Sequence, residues 1–305
     1  MNKFKTILLA VAVAAMALTT SCLSNDDTDI TDLERISSAI SFTVDRITGQ
    51  TVSEQITSME LTTNYTKLTM TLTVNNLKLP DGSTLPKATF TDIPLKSNDT
   101  GWLLSEASNV RPTAEGFADE MMPLFSSVRI GALNHVDELQ GQTIVGYERS
   151  VRLEISNYVI YISQNSAWST GTTHVTDQSA EGGSFTSKTP VYLVKLDTEK
   201  HTARIIVYDA VFAQAMETLH LEIEFRDVPY TCDANGNIRL VRTETFDPYH
   251  KDTPNPSFPI SDLSCTWNVF SGIDIAFNCG AMGSNYHVAA DMPFNYGLNS
   301  GTTQQ

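Results

Sequence analysis

Basic residues are scarce in this chain of 305 residues. Lysines and arginines number 20 against 35 aspartates and glutamates, so the formal net charge is −15 at pH 7. A field of that sign repels phosphate backbones, and no cluster of basic residues is present to reverse it locally. The composition therefore argues against nucleic acid as a partner, while a hydrophobic share of 41% argues for a folded protein.

Helical periodicity is scarce as well. The best helical stretch is 114–125, and Pro123 interrupts it. Apolar and polar residues instead alternate with the period of a half-buried strand in three stretches, which are 66–79, 151–163 and 265–278. The sequence thus predicts an all-β fold.

Long apolar runs are confined to the N-terminus. Residues 6–18 follow a short basic start and are too short for a membrane span, which is typical of the core of a signal peptide. Residues 18–22, which read Leu-Thr-Thr-Ser-Cys, resemble the lipobox of bacterial lipoproteins. This resemblance implies that residues 1–21 are removed and that Cys22 carries acyl chains, which anchor the protein to a membrane. An ordinary secretory signal with an incidental cysteine is the alternative.

Acidic residues follow the cysteine directly, in a lipidated tether that we place at 22–35. Residues 23–29 read Leu-Ser-Asn-Asp-Asp-Thr-Asp. They resemble the export signal that surface lipoproteins of some Gram-negative gut bacteria carry after the acylated cysteine. The resemblance implies an outer-membrane protein whose folded part faces the exterior. In the alternative, the acidic residues only solvate the tether and the protein faces the periplasm.

An internal repeat divides the rest of the chain. A shift of 135 residues lays 90–94 (Phe-Thr-Asp-Ile-Pro) on 225–229 (Phe-Arg-Asp-Val-Pro), and in each copy a glycine follows the proline by seven residues. A second shift, of 114 residues, lays 151–163 on 265–277. We therefore predict that two similar β units arose by duplication.

The repeat predicts two tandem β domains. The proposed segments are a first domain at 36–165, a Ser/Thr/Gly-rich linker at 166–185, a second domain at 186–290 and a polar tail at 291–305. Short strands with turn signals and little helix favour a β-sandwich in each domain, of immunoglobulin-like or transthyretin-like kind. In the alternative, each copy supplies half of one larger barrel, an arrangement that resembles the calycin-like lipoproteins.

Cysteines are few: besides Cys22 there are Cys232, Cys265 and Cys279. The last two flank an alternating stretch that predicts a hairpin with the loop 271–273, and this register sets them directly opposite each other. Opposed residues lie near disulfide reach, so we predict a bridge between Cys265 and Cys279. Two buried thiols are the alternative, and Cys232 has no partner in this scheme.

Motifs of catalysis and of cofactor binding are absent. The chain has no Gly-x-Ser-x-Gly, no phosphate-binding loop, no His-Glu-x-x-His and no Gly-x-Gly-x-x-Gly. His220, Glu222 and Glu224 share one face of a predicted strand, and because apolar residues fill the other face we interpret them as its solvated side. Residues 233–237 lack the later glutamate of a calcium loop, so we interpret them as a turn. We therefore expect no enzyme activity, no cofactor and no metal.

Aromatic residues in polar surroundings are the remaining signal. Trp168 lies in a polar stretch of the linker, where it either folds back onto the domain junction or is exposed and able to stack on a sugar ring. Trp267 alternates with apolar residues and is expected in the core. We expect a non-catalytic binding module with Trp168 and Tyr249 as ligand contacts, and with a glycan or another envelope protein as its ligand.

A structural role is the alternative function. The size, the lipobox and the β content resemble the two-domain fimbrillin-like lipoproteins. This resemblance implies a structural or adhesive subunit, although the sequence shows no clear arginine-cleaved leader strand.

Overall fold

The computed structural model describes residues 29–97, 103–139, 142–179, 182–211, 216, 219–281 and 283–293. Strands dominate these residues and no α-helix occurs among them, so the predicted all-β class is confirmed. None of the described helical turns is long and apolar enough to cross a membrane. The lipid-attachment residue Cys22 and most of the acidic tether lie outside the described residues.

The first nine strands belong to one sheet. Their bounds are β1 (Thr31–Asp45), β2 (Thr51–Asn64), β3 (Thr69–Lys78), β4 (Thr84–Ser97), β5 (Leu103–Val110), β6 (Thr113–Ala114), β7 (Phe125–Leu139), β8 (Gln142–Ile155) and β9 (Tyr158–Gln164). Eight of them form an antiparallel meander in which β9 returns to pair with β1, so the sheet closes into a barrel. The short β6 pairs with β4 outside this ring.

The stretch 114–125 is not helical, although it has the best helical spacing in the sequence. Gly116 takes a φ of +82°, which lies outside the helical region and ends any turn at that point. A single 3₁₀ turn, Asp119–Met121, follows, and its residues are not buried. Met122 and Phe125 are buried in the barrel core, whereas Phe117 and Met121 are exposed, so the apolar residues at this spacing do not form one buried helix face.

The remaining strands form a second sheet. Their bounds are β10 (Ser166–Thr170), β11 (Thr172–Asp177), β12 (Ser184–Ser187), β13 (Val191–Asp197), β14 (Thr202–Ala210), β15 (Leu221–Cys232), β16 (Asn237–Arg242), β17 (Tyr249–His250), β18 (Thr253–Pro254), β19 (Ile260–Asn268), β20 (Gly272–Ala281) and β21 (Ser284–Pro293). The sheet curls into a half-barrel, with β10 along one side and with β11 and then β12 along the other. A small ribbon of β17 and β18 pairs with β15.

Residues 166–185 are part of this second sheet and are not a linker, which corrects the prediction. They contain β10, β11 and the start of β12. Gly171 alone separates β10 from β11, so one extended stretch pairs with β13 by its first half and with β21 by its second half. Ala167 and Val175 point into the core and their chain neighbours do not, and this alternation makes strands of a Ser/Thr-rich sequence.

Both units contain the same arrangement of three strands, β2–β3–β4 in the first and β13–β14–β15 in the second. In the β2–β3 turn, the Asn64 side chain accepts hydrogen bonds from the backbone amides two and three residues further on, and Asp197 does the same in the β13–β14 turn. Asn64 pairs with Thr69, and Asp197 pairs with Thr202, so these two hairpins are related by a shift of 133 residues.

The repeated Phe-x-Asp-x-Pro segments form matching β-bulges. Asp92 and Asp227 both take a φ of +55°, and the strand register shifts at both places. The predicted shift of 135 residues is therefore confirmed at the bulges, whereas the two strands before them follow the shift of 133. The second predicted shift, of 114 residues, is wrong, because the order along the meander makes β19 and β20 the counterparts of β7 and β8.

Each unit curls on itself instead of placing two flat sheets face to face. In the first unit, strands of up to 15 residues, bent by bulges, allow the sheet to close, which removes its exposed edges, whereas the second sheet curls without closing. The alternative prediction, one larger barrel made from two halves, does not match the structure. Each stretch of chain forms its own sheet, and no described strand of one unit pairs with the other unit.

The barrel contributes residues to the hydrophobic core of the second unit. Met59, Leu72 and Phe90 belong to a cluster that fills the barrel. The outer faces of β1 and β9 contribute Phe42 and Tyr161 to a second cluster, which covers the inner face of the second sheet. The second half of β1 and all but the ends of β9 are thus buried on both faces, which is why β9 is a nearly unbroken apolar run.

Polar contacts also cross the junction between the units. The Tyr161 hydroxyl donates a hydrogen bond to the carbonyl of Ala234 at 3.0 Å. Glu54, on β2, accepts a hydrogen bond from the Tyr230 hydroxyl, and its other carboxylate oxygen lies 3.0 Å from Nδ1 of His201. Burial and the neighbouring carboxylate of Glu54 raise the pKa of Tyr230, so the phenol remains a donor.

The three described cysteines, Cys232, Cys265 and Cys279, are buried free thiols. The predicted bridge between Cys265 and Cys279 is therefore wrong, and the alternative of buried thiols holds. Burial raises the pKa of Cys279 to about 12 and raises those of the other two as well. All three side chains thus pack as small neutral groups.

The β19–β20 register explains why the bridge does not form. The turn lies at 269–271 instead of 271–273, because Asn268 accepts hydrogen bonds from the amides of Phe270 and Ser271. Cys265 then lies opposite Ile275.

Gly171 supports a stability prediction. A Cβ at this corner would lie 2.4 Å from the Asp291 carbonyl oxygen and 2.6 Å from Cγ of Met292. We expect Gly171→Ala to lower the free energy of unfolding by about 1–3 kcal/mol, the usual cost of overpacking, in urea denaturation. Gly183→Ala is the matched control, because no atom lies within 4 Å of its added Cβ. Equal stability of the two variants would contradict the close approach.

Candidate functional site

A row of side chains crosses the second sheet on its outer face. Trp168, Leu193, Ile206, Glu224 and Tyr249 are directly opposed from strand to strand, through β10, β13, β14, β15 and β17. The chain neighbours of Leu193, Ile206 and Glu224 belong to the core, so the middle of the row points away from the core. Adjacent strands lie about 4.8 Å apart, so the row extends over about 19 Å.

The two predicted ligand contacts are the ends of this row. The sequence had placed Trp168 in a polar linker, but it lies half-buried on β10. Tyr249 is half-buried on β17. Trp267 is buried in the core, as predicted.

Glu224 binds two guanidinium groups within the row. Arg226 donates hydrogen bonds to its two carboxylate oxygens at 2.7 and 2.8 Å, and Arg204 does the same from the neighbouring strand. Glu224 is only 4% exposed, whereas the Arg204 side chain is 49% exposed. The predicted solvated face therefore contains a buried carboxylate, and this carboxylate orients a guanidinium that reaches the surface.

The arginines determine the charge of Glu224. Burial raises the pKa of this carboxyl, but the hydrogen bonds from Arg226 and Arg204 outweigh burial, and the pKa lies below its usual value. Hydrogen bonds to Glu224 and Asp252 raise the pKa of Arg226 in turn. Glu224 and Arg226 are thus ionised near neutral pH, and together with Arg204 and Asp252 we call them the ionic cluster.

Arg226 connects the cluster to the Tyr249 end of the row. Its guanidinium carbon lies 4.1 Å from the centroid of the Tyr249 ring, a cation–π geometry. Its Nη2 donates a hydrogen bond to Asp252 at 2.5 Å, and the Asp252 side chain is 86% exposed. This end therefore presents an oriented aromatic ring beside a solvent-facing carboxylate.

The ionic cluster lines a cleft of about 570 Å³ at the junction of the two units. Lys195 and Arg204 line it from the second sheet, and Ser38 and Ile56 line it from the barrel. The cleft thus offers N–H donors, carboxylate oxygens and apolar surface to one ligand, the combination that small-molecule sites use.

A smaller hollow of about 290 Å³ lies on the outer face of β19, β20, β21 and β11. Ala276 and Ala289 line it, and the carboxyl groups of Asp274 and Asp291 oppose each other across β20 and β21. Burial and the neighbouring carboxyl of Asp291 raise the pKa of Asp274, because two adjacent carboxylates repel.

The other polar groups that the sequence singled out do not assemble into a metal centre. Nδ1 of His220 lies 3.0 Å from Asp209, while Glu224 binds arginines instead. Asp233 accepts hydrogen bonds from the amides of Asn235 and Asn237, so residues 233–237 form the predicted turn. Among the described residues, no group of three His, Cys, Asp or Glu side chains is placed to bind a metal ion.

The sequence interpretation missed Lys195, Arg204 and Arg226. A partial signal was present, because Glu222, Glu224 and Arg226 alternate on one strand and mark a charged face. The partner Arg204 depends on the β14–β15 register, which a bulge shifts, and no local pattern reveals that register.

Comparisons with known proteins give only distant likenesses. No protein-family model and no curated protein sequence matches the chain. It is similar to a solved structure described as a candidate outer membrane protein from Bacteroides fragilis, with 12% identity over 86% of this chain and 97% of that chain, and a TM-score of 0.33. It is also similar to intact Ap-TbpB with its N and C lobes, with 7% identity over 87% of this chain and 78% of that chain, and a TM-score of 0.21. At these TM-scores the likenesses carry no weight for function.

The two arginines on Glu224 lead to a stability prediction. Glu224→Gln keeps the side-chain shape but removes the shared charge, so we expect the free energy of unfolding at pH 7 to fall by about 1.5–3 kcal/mol. Because folding lowers the pKa of Glu224, its ion pairs contribute fully to stability above pH 4.5, the usual pKa of a glutamate. This stability is lost as the pH falls through the lowered pKa. The deficit of the variant should therefore shrink on acidification, as measured by chemical denaturation at several pH values.

Glu222→Gln is the control for this experiment. Glu222 lies on the same strand and face as Glu224, and it forms no ion pair with the described residues. An equal loss of stability in the two variants would show that the arginine contacts contribute nothing.

The opposed carboxyl groups of Asp274 and Asp291 predict the reverse pH dependence. Because folding raises the pKa of Asp274, protonation of this carboxyl stabilises the fold, fully so below pH 3.8, the usual pKa of an aspartate. This stability is lost as the pH rises through the raised pKa. Asp274→Asn removes the repulsion, so we expect a gain of about 0.2–1 kcal/mol at neutral pH in thermal unfolding, and none in acid. Asp247→Asn, at an exposed position without a described ion pair, should give no such gain. A similar gain from both variants would point to net charge as the cause.

Proposed function

We propose that this protein is a non-catalytic binding module of the outer membrane. It is lipid-anchored through Cys22, faces the exterior and binds a glycan on the outer face of its second sheet. The anchor and the location rest on the lipobox and the acidic residues at 18–29. The observation that supports glycan binding is the row in which Trp168 and Tyr249 flank an ordered ionic cluster.

A glycan matches the chemistry of this row. Sugars present hydroxyl groups, which donate and accept hydrogen bonds, and apolar ring faces, which pack on aromatic side chains. The site offers guanidinium donors at Arg204 and a carboxylate acceptor at Asp252, and Glu224 and Arg226 hold these groups in place. Such preorganisation lowers the entropy that the side chains lose on binding.

The length of the row favours an extended ligand. Trp168 and Tyr249 are separated by four strand spacings, or about 19 Å, and the cleft continues from the middle of the row toward the barrel. A chain of several sugars can contact both aromatic ends, whereas a monosaccharide contacts only one of them.

The charge state of the cluster supports binding over hydrolysis. Glycosidases use one carboxyl group as a proton donor and a second across the cleft as a base or nucleophile. The arginines hold Glu224 ionised, and Asp252 is solvent-exposed and paired with Arg226. The lowered pKa of Glu224 is the opposite of the raised pKa that a general acid requires.

Affinity electrophoresis tests this proposal. The full chain, solubilised in detergent, is run through gels that contain host or dietary polysaccharides. We expect at least one polysaccharide to retard the protein, and we expect Trp168→Ala and Tyr249→Ala each to weaken binding by about five- to tenfold, or about 1–1.4 kcal/mol.

Phe117→Ala is the matched control, because it removes an exposed aromatic side chain from the barrel. Thermal unfolding of each variant separates loss of contact from loss of fold. Retardation that neither site substitution changes would keep the glycan-binding function and reject this site. No retardation by any polysaccharide would overturn the proposal in favour of a structural subunit or a binder of envelope proteins.

A further inference from the structure

We infer that the glycan bound at this site carries an isolated carboxylate group, which binds between Lys195 and Arg204. The inference rests on the proposed function and adds the chemical class of the sugar. It starts from two opposed cations in a strongly acidic protein, of which only Arg204 has an ion-pair partner among the described residues.

Lys195 and Arg204 oppose each other directly across β13 and β14. Directly opposed side chains have Cβ atoms about 5 Å apart, and like charges in that position destabilise a sheet. Both side chains are exposed and both line the cleft. Arg204 is paired with Glu224, whereas Lys195 forms no ion pair with any described residue, so a ligand anion would supply the counter-charge that Lys195 lacks.

The two arginines on Glu224 indicate where this anion binds. Arg226 contacts two carboxylates, those of Glu224 and Asp252. Arg204 also binds Glu224 through Nε and Nη2, but it contacts no second carboxylate among the described residues. The remaining N–H groups of Arg204 match a carboxylate, because an oriented guanidinium binds two oxygens in its plane, and Lys195 is opposed to it on the next strand.

Other charges in the cleft limit the ligand to one carboxylate at a time. Lys200 lies 3.7 Å from Asp197, so these two charges compensate each other. Glu199 and Asp227 also line the cleft and form no ion pair with the described residues. Together with the net charge of −15, these acids repel a polyanion. A largely neutral polysaccharide with sparse carboxylated sugars supplies one carboxylate to Lys195 and Arg204 and brings little further negative charge to the acidic surface.

Glucuronoxylan and gum arabic are suitable probes, because both carry sparse uronic acid groups on a largely neutral polymer. Chemical reduction of the carboxyl groups to alcohols yields a matched neutral twin of each. We expect the full chain in detergent to bind at least one native polymer about tenfold or more tightly than its twin, in affinity electrophoresis. We expect Lys195→Ala and Arg204→Lys to abolish that preference, and Lys87→Ala, an exposed lysine of the barrel, to leave it intact.

The outcomes separate this inference from the proposed function. A preference for the native polymer that Lys195→Ala abolishes supports the inference. Equal binding of a polymer and its reduced twin, a preference that survives both substitutions, or binding of neutral polysaccharides alone overturns it and leaves the glycan-binding function standing. Absence of binding to every acidic and neutral polysaccharide overturns both.

Discussion

The pairing of β1 with β9 is the contact on which both units depend. It closes the barrel, and the same two strands turn Phe42 and Tyr161 outward into the core of the second unit. A strand that is buried on both faces cannot shift by one residue without changing the side chains on each face. The closure of the barrel therefore also sets the surface on which the second sheet packs, and the position of the cleft follows from that packing.

The ionic cluster follows from the same arrangement. Core residues that the barrel shares occupy the inner face of the second sheet, so its charged residues lie on the outer face and at the junction. A carboxylate as buried as Glu224 gains little stability over an apolar replacement of similar volume, because desolvation offsets the attraction of its partners. Its two arginines are better explained by what they present to the cleft, where Arg204 is fixed in orientation and half-exposed.

Local patterns in the sequence were enough to predict the fold class and part of the repeat. Alternation with a period of two is a property of a single strand, and it located β3 within 66–79 and the end of β8 at 151–155 without knowledge of their partners. The segments 90–94 and 225–229 marked equivalent bulges, because an aspartate tolerates positive φ there.

Pairing between strands could not be predicted in the same way. Loops at 269–271 and 271–273 place the same apolar residues of β19 and β20 on one face, so the hydrophobic pattern cannot choose between them. The side chain of Asn268 decides the register, and with it the absence of a bond between Cys265 and Cys279. Closure into a barrel is likewise a property of all the strands together.

The candidate site shows the same limit most clearly at Trp168. Its strand, β10, is five residues long and is flanked by serine and threonine, so it has almost no local signal. The pairing of β10 with β13 places the tryptophan in the row, and this pairing ends at Gly171, where the chain turns to pair with β21. The close approach of Gly171 to Asp291 holds that corner in place. A backbone contact on one side of the half-barrel therefore positions the first residue of a row that ends four strands away.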